Sequence, residues 1–245
     1  MTELDILPVL ILIGRPASGK SEIINYLQKL GDIERRAKFH LGDLEVIDDF
    51  PMLWTWFEED DILSQRLNQP RLHTDEQGYF KHSYHWDLLI QRLDLEYYKR
   101  LRDDMNLHHS QTIIIEFSRG SQHDGYQRAL SHFSTELLEK AAILYVAVSY
   151  EESLRKNQAR FNPARPDSIL EHGLPDKKLE LLYRQDDWQS ITHNNPTHLR
   201  INSVDVPYVL FENEDDVTSR EIELLDQRLS KGLGELYQLL RNQPK

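Results

Sequence analysis

The feature that most constrains this sequence is a glycine-rich turn near its N-terminus. Residues 9–13 form a continuous apolar run that stops at Gly14, a pattern typical of a strand buried on both faces of a parallel sheet. A helical pattern begins at Lys20 and stops before Gly31, with apolar residues at Ile23, Ile24, Leu27 and Leu30. The succession of strand, glycine turn and helix predicts the opening of an α/β fold.

The turn itself matches the motif G-x-x-x-x-G-K-[ST] through Gly14, Arg15, Pro16, Ala17, Ser18, Gly19, Lys20 and Ser21. In this motif the glycines let the backbone wrap round phosphates, and the following helix N-terminus binds the anion. Lys20 would neutralise the outer phosphates, and Ser21 would offer its hydroxyl to Mg²⁺. The motif predicts a site for ATP or another nucleoside triphosphate, and the alternative is an ordinary tight turn with a fortuitous lysine.

Further apolar runs alternate with helical patterns along the chain. Strands are predicted at 112–117, 142–148 and 206–211, with a weaker candidate at 38–41, and helices at 87–102, 126–138, 151–160 and 217–240. This alternation predicts an α/β domain spanning residues 1–245, with a parallel five-stranded sheet flanked by helices. Two stretches, about 42–100 and about 150–200, are too long for simple crossovers, so we expect excursions over the active-site edge.

Composition narrows the choice of partners and compartment. The chain has 41 acidic and 29 basic residues, a net charge of -12 that disfavours nucleic acid as a partner. It has no cysteine, so disulfides and thiolate metal sites are excluded. The apolar run at 6–13 lacks a basic flank and is too short to span a bilayer. We expect a cytoplasmic protein without a membrane segment, and the sequence leaves its oligomeric state open.

Two carboxylates follow apolar segments and are candidates for the chemistry of the site. Glu116 ends the run that begins at Thr112, where an acidic partner for a phosphate-bound metal is expected. Its alternative role is a structural ion pair with Arg119. Asp43 follows the weak strand candidate at 38–41 and would act as base or acceptor contact if it lies at the carboxyl end of the sheet. Alternatively, Asp43 caps the turn that follows it.

Taken together, these segments resemble the P-loop kinase superfamily, which contains nucleoside, nucleotide and small-metabolite kinases. The resemblance is carried by residues 14–21, by the Gly42-Asp43 pair, by the segment from Glu116 to Arg119, and by a strand at 143–148 followed by residues 149–155. It implies a P-loop NTPase fold of the nucleotide-kinase type, with inserted acceptor (about 42–100) and lid (about 150–200) segments. It also implies that lid arginines fold over the triphosphate, a role that would fall to Arg155, Arg160 and Arg165.

The leading hypothesis is therefore a Mg²⁺-dependent kinase that moves a phosphoryl group from ATP to a small-molecule acceptor, such as a nucleoside, a nucleotide or a small metabolite. In this hypothesis Lys20 and Ser21 hold phosphate and metal, Glu116 holds the metal, and Asp43 contacts the acceptor. Arg155 or Arg160 stabilises the developing charge. The alternative is a nucleotide-binding or nucleotide-hydrolysing switch protein without a small-molecule acceptor, although the guanine signature Asn-Lys-x-Asp does not occur in the sequence.

Overall fold

The computed structural model describes residues 5–160 and 174–243. Within them the chain forms an α/β fold with a six-stranded sheet in the order β2-β3-β1-β4-β6-β5. The first five strands in that order run parallel, and β5 pairs with β6 in the antiparallel direction. The strands are β1 (Val9–Gly14), β2 (Asp43–Asp48), β3 (Gln111–Phe117), β4 (Ala141–Ala147), β5 (His198–Ile201) and β6 (Val204–Glu212).

Helices cover both faces of this sheet. Within the described ranges, none is long and apolar enough to cross a membrane. A π-helical turn at Ile62–Arg66 and two 3₁₀ turns, Leu107–His109 and Ser121–His123, complete the elements. The α-helices are α1 (Lys20–Lys29), α2 (Asp32–Phe39), α3 (Asp49–Asp61), α4 (Tyr84–Asp103), α5 (Gly125–Ser131), α6 (Thr135–Leu138), α7 (Tyr150–Arg160), α8 (Asp176–Tyr183), α9 (Trp188–Thr192), α10 (Val217–Arg220) and α11 (Ile222–Arg241).

The central strand β1 divides two hydrophobic cores. Leu10 and Leu12 pack into the core formed with α1, α2 and α11, whereas alternate residues such as Ile11 pack into the core formed with α4, α5 and α9. All six residues of β1 are buried. Since successive strand side chains point to opposite faces, burial on both faces requires the continuous apolar run found in the sequence.

The edges of the sheet correct the sequence-based strand assignment. The sheet has six strands rather than five, and the candidate at 38–41 is wrong because Lys38 and Phe39 end α2. The actual second strand, β2, lies at the edge of the sheet formed by the described residues, where it pairs with β3 and keeps most of its residues partly exposed. An edge strand of this kind needs no continuous apolar run, and β5 has only four residues. Both strands therefore lacked the signal that identified β1, β3, β4 and β6.

Two predicted helices are each divided in two. The pattern at 126–138 forms α5, which ends at Ser131, and α6, which begins after Ser134. The Ser134 hydroxyl accepts a hydrogen bond from the Leu137 amide. A serine in this position caps a new helix. The pattern at 217–240 is interrupted at Glu221, whose extended backbone separates α10 from α11.

In the segment between β2 and β3, the buried carboxylate of Asp60 holds a loop in place. Asp60 is fully buried near the end of α3. It accepts hydrogen bonds from the amides of Leu72, His73 and Thr74 at 2.5, 3.0 and 2.6 Å, and from the Thr74 hydroxyl at 2.7 Å. Burial alone would raise the pKa of Asp60, but these hydrogen bonds outweigh it and hold the pKa below its ordinary value. Asp60 therefore ties the loop at 72–74 to α3.

We expect Asp60→Asn to destabilise the protein by about 2–4 kcal/mol, because an amide cannot accept all of these hydrogen bonds. The exposed neighbour Glu59 provides the control, and Glu59→Gln should change stability by less than about 0.5 kcal/mol. The loss at Asp60 should begin to shrink as the pH falls below about 4, the ordinary pKa of the unfolded carboxyl group, and should continue to shrink through the lower pKa of folded Asp60. Thermal unfolding of both variants over a pH series tests this, and an unchanged Asp60→Asn variant would contradict it.

Candidate functional site

The glycine loop, residues 14–21, lies at the carboxyl end of the central strand. The loop follows β1, which is flanked by β3 on one side and by β4 on the other. After β1, the chain builds β2 and β3 on one side of this strand, and then β4, β5 and β6 on the other side. In open parallel sheets such a reversal leaves a crevice beyond the carboxyl ends of the strands, where ligands bind. The loop therefore occupies the place in the fold where a ligand site is expected.

The two glycines of the loop occupy positions that no side chain would fit. Gly14 lies against β4, and an added Cβ would stand 2.5 Å from the Val146 carbonyl oxygen. Gly19 has a φ of 111°, and its Cβ would stand 2.5 Å from the Asn213 side-chain nitrogen. The backbone is therefore packed tightly from behind, and Gly19 supplies the left-handed conformation that turns the chain into α1.

The N-terminus of α1 has the properties of an anion site. Among the described residues, no side chain caps this helix, so the amides of its first turn are open to an external acceptor. The buried hydroxyl of Ser18 also has no hydrogen-bond partner in the described part of the chain. The Ser18 carbonyl, in contrast, accepts from Asn213 at 2.6 Å, which fastens the loop to the end of β6. These groups fit a phosphate, whose oxygens would accept from such amides.

Lys20 folds back over the loop. It is only 5% exposed, and its Nζ donates to the carbonyl oxygens of Gly14 and Arg15 at 3.3 and 3.1 Å and to the Ser118 hydroxyl at 2.8 Å. The Nζ lies 3.9 Å from a carboxylate oxygen of Glu116. Burial lowers the pKa of Lys20, and the charge of Glu116 opposes this shift. The ammonium group is thus held in place mainly by neutral acceptors.

Two carboxylates lie side by side next to this lysine. Asp48 ends β2, and the parallel register places it opposite Glu116 on β3. Burial raises the pKa of Asp48, and the neighbouring charge of Glu116 raises it further. Burial also raises the pKa of Glu116, although Lys20 opposes this shift. Both residues are partly buried, and a partly desolvated carboxylate pair is costly unless it takes up a proton or a cation. This pair is therefore suited to hold either.

A second buried ion pair lies beside the carboxylates. The Arg119 guanidinium donates to Asp49 at 2.7 Å, and both side chains are buried. The guanidinium also lies over the Trp86 ring, 5.2 Å from its centre. The alternative of a Glu116–Arg119 ion pair is therefore replaced by one between Asp49 and Arg119. Among the described residues, Lys20 makes the largest favourable electrostatic interaction with Glu116, and Arg160 adds a smaller one.

Asp43 does not lie at this site, so the predicted position of this residue is wrong. Asp43 begins β2 rather than following the second strand. It lies opposite Gln111 at the start of β3, about 16 Å along the strand from Asp48. Its carboxylate is exposed and pairs with Arg35 at 2.9 Å. Asp43 is therefore at the amino end of the sheet, and Asp48 is the residue that β2 presents to the glycine loop.

The arginines assigned to the lid segment separate into different groups. Arg160 pairs with Glu22 in the first turn of α1 at 3.4 Å, so it lies beside the glycine loop. Arg155 instead pairs with Glu152 and with Asp216 beyond β6. Arg165 lies outside the described residues. Helix α7 also contacts the loop directly, because the Ser153 hydroxyl donates to the Pro16 carbonyl at 2.7 Å.

The side chain of Arg15 points towards the end of α8 and the segment that follows it. It pairs with Asp186 at 2.9 Å and donates to the carbonyl oxygens of Val148 and Tyr183 at 3.1 and 3.3 Å. This side chain also lines a cavity of about 600 Å³ beside the carboxyl ends of β4 and β6. The backbone of Arg15 is therefore part of the glycine loop, while its side chain holds together the residues that line this cavity.

We expect Asp48→Asn to stabilise the ligand-free protein, because it removes a partly buried negative charge from beside Glu116 while an asparagine can still cap α3. The melting temperature should rise by roughly 2–4 °C at neutral pH, the shift that about 1 kcal/mol produces in a domain of this size. Since folding raises the pKa of Asp48, the gain should be absent below roughly pH 4 and grow as the pH rises.

The matched control is Asp43→Asn at the exposed end of the same strand, which should not produce this pH-dependent gain. Thermal unfolding without metal or nucleotide, at roughly pH 4 and roughly pH 8, measures both variants. A destabilised Asp48→Asn variant at the higher pH would contradict the interpretation of Asp48 and Glu116 as an uncompensated pair.

Comparison with known proteins adds little to this geometry. A scan against models of protein families and a search of curated proteins both find no match. Among solved structures, APE1195 is 16% identical, with 94% of this chain and 98% of that chain covered and a TM-score of 0.42. A sugar kinase from Janibacter sp. HTCC2649 is 13% identical, with coverage of 93% and 94% and a TM-score of 0.40. Both similarities are too low to identify an activity for this chain.

Proposed function

We propose that this protein is a Mg²⁺-dependent phosphotransferase that moves the γ-phosphoryl group of ATP to a small-molecule acceptor, and that residues 14–21 act as its P-loop. The observation that supports this most is the position of the buried Lys20 ammonium. It lies on the glycine loop, 3.9 Å from Glu116, while Asp48 lies opposite Glu116 on the next strand. Phosphate and metal each have a suitable group within this one cluster.

The phosphate chain would be bound by the loop amides, the N-terminus of α1 and Lys20. In the structure, the Lys20 Nζ donates to two carbonyl oxygens and to the Ser118 hydroxyl. A charged phosphate oxygen is a stronger acceptor than any of these neutral groups. Lys20 can therefore exchange these contacts for phosphate without leaving the loop. Arg160 contacts Glu22 in the first turn of α1 and would stabilise charge on the transferred group.

A magnesium ion would be held by Ser21, Glu116 and Asp48 together with the phosphates. Over residues 5–160 and 174–243, no group of three or more histidine, aspartate or glutamate side chains could hold a metal ion by itself. This agrees with Mg²⁺, which proteins usually bind through one or two carboxylates plus substrate phosphates and water. When bound, the ion would neutralise phosphate charge and position the triphosphate for transfer.

The acceptor would approach from the side of α3 and α4. At this side of the site, Asp48 lies at the end of β2, directly before α3. Beside it, Arg119 is fixed by Asp49 and stacked over Trp86. The segment at about 42–100 thus contributes an aromatic wall beside a fixed arginine, which would suit a nucleoside, a nucleotide or another small metabolite.

The test is ATP-to-ADP turnover with Mg²⁺ across a panel of nucleosides, nucleoside monophosphates, sugars and sugar acids. We expect one acceptor class to stimulate turnover, and Lys20→Ala to lower the stimulated rate by about 10²–10³-fold, the typical cost of removing a charge-stabilising group. The matched control is Lys29→Ala at the exposed end of the same helix, which should retain activity. Circular dichroism would show whether both variants keep their fold.

Two results would contradict the proposal. If Lys20→Ala folds normally and retains full turnover, the loop does not act as the phosphate site. If ATP is hydrolysed at a steady rate that no acceptor changes, a nucleotide-dependent switch replaces the phosphotransferase.

A further inference from the structure

Helix α4 carries an apolar stripe on its outer surface. Tyr84, Leu88, Leu95 and Tyr98 are 55%, 41%, 49% and 52% exposed. The opposite side of α4 is fully engaged with the core through Leu89, Ile90, Leu93, Tyr97 and Leu101. The helix is therefore apolar on two faces, although a helix that only covers a sheet needs one.

The spacing of the outer stripe is that of a coiled-coil seam. Steps of four and three residues alternate without interruption through Tyr84, Leu88, Gln91, Leu95, Tyr98 and Arg102. Such a pattern places two leucines and two tyrosines along one line, with the polar Gln91 in the middle. A single polar residue in an apolar seam fixes the register of the paired helices at some cost in stability.

The charges beside the seam are opposite on its two sides. Asp87 and Asp94 follow one side, and Arg92 and Lys99 follow the other, each pair seven residues apart. When two such helices lie parallel, the residue on one side faces the residue five positions later on the other helix. Asp87 would then face Arg92 of the second copy, and Asp94 would face Lys99 of the second copy. An antiparallel pair would bring like charges together.

Some of these side chains already have partners within the chain. Asp87 accepts from Arg128 at 2.7 Å and lies 3.1 Å from His132, and Lys99 pairs with Glu96 at 2.7 Å. Asp94 accepts from the amide and the hydroxyl of Ser134 at 3.0 and 2.8 Å, a contact that Asp94→Lys and the combined variant with Lys99→Asp both lose. Exposed ion pairs contribute little energy, so the charges would select the orientation of the helices. The free energy of association would come from the apolar seam.

We propose that the chain forms a two-fold symmetric homodimer in which two copies of α4 pack side by side and parallel, with Leu88 and Leu95 at the centre of the interface. The same patch then serves both copies, as an isologous interface requires. The occupant is a second copy because the stripe and its flanking charges complement themselves. The dimer does not depend on the phosphotransferase proposal, since the seam contains none of the residues assigned to that site.

Sedimentation velocity over a protein concentration series tests the dimer directly. The wild-type chain should sediment as a dimer, and the double variant Leu88→Asp, Leu95→Asp should raise the dissociation constant at least ~100-fold, because both leucines are lost from both copies. The matched control is Leu181→Asp on α8, which changes an equally exposed leucine outside the seam and should leave the dimer intact. A monomeric wild-type chain, or a double variant that remains dimeric, would overturn the proposal.

Charge reversal tests the parallel orientation. Asp94→Lys alone should weaken the dimer, because the new charge would face Lys99 of the second copy. Adding Lys99→Asp should restore much of the lost affinity, since the opposite charges would face each other again. A combined variant that is no tighter than Asp94→Lys would overturn the parallel arrangement.

Discussion

The burial of the Lys20 ammonium beside the Glu116 and Asp48 carboxylates is the interaction on which the rest of the site depends. Desolvation makes each of these charges unfavourable. One lysine lies near two carboxylates, so its positive charge compensates their negative charges only in part. The protein therefore keeps an unfavourable electrostatic arrangement at the carboxyl end of its sheet. Arrangements of this kind are concentrated at functional sites, where a ligand completes the charge balance.

The rest of the fold stabilises this arrangement, because helices cover both faces of the sheet. The central strand β1 is buried on both sides, so the loop at its end begins from a rigid support. Val146 packs against Gly14, and Asn213 packs against Gly19. Helix α7 contacts Pro16 through Ser153. The loop therefore has little freedom to rearrange, and its amides stay oriented for a ligand.

The sequence was sufficient for the parts of the protein that are buried on both faces. The strands β1, β3, β4 and β6 carry continuous apolar runs, and the glycine loop has a defined spacing. The edge strand β2 has no such signal, so the second strand was predicted at 38–41 instead of 43–48. Because of this error, Asp43 rather than Asp48 was chosen as the acidic candidate. A short apolar pair, Val46 and Ile47, does precede Asp48, in the same way that apolar residues precede Glu116, and this signal could have identified it. The pairing of Arg119 with Asp49 could not be predicted, because it depends on how α3 leaves β2.

The central claim is that the carboxylate pair and Lys20 are kept together to bind a metal-bound triphosphate. Its most direct test is calorimetric titration of ATP into the wild-type protein and into Asp48→Asn, each with and without Mg²⁺. We expect Mg²⁺ to tighten ATP binding to the wild type at least about tenfold, or about 1.4 kcal/mol, and to have much less effect on the variant. Binding that is equally tight with and without Mg²⁺ in both proteins, or no binding at all, would contradict the claim.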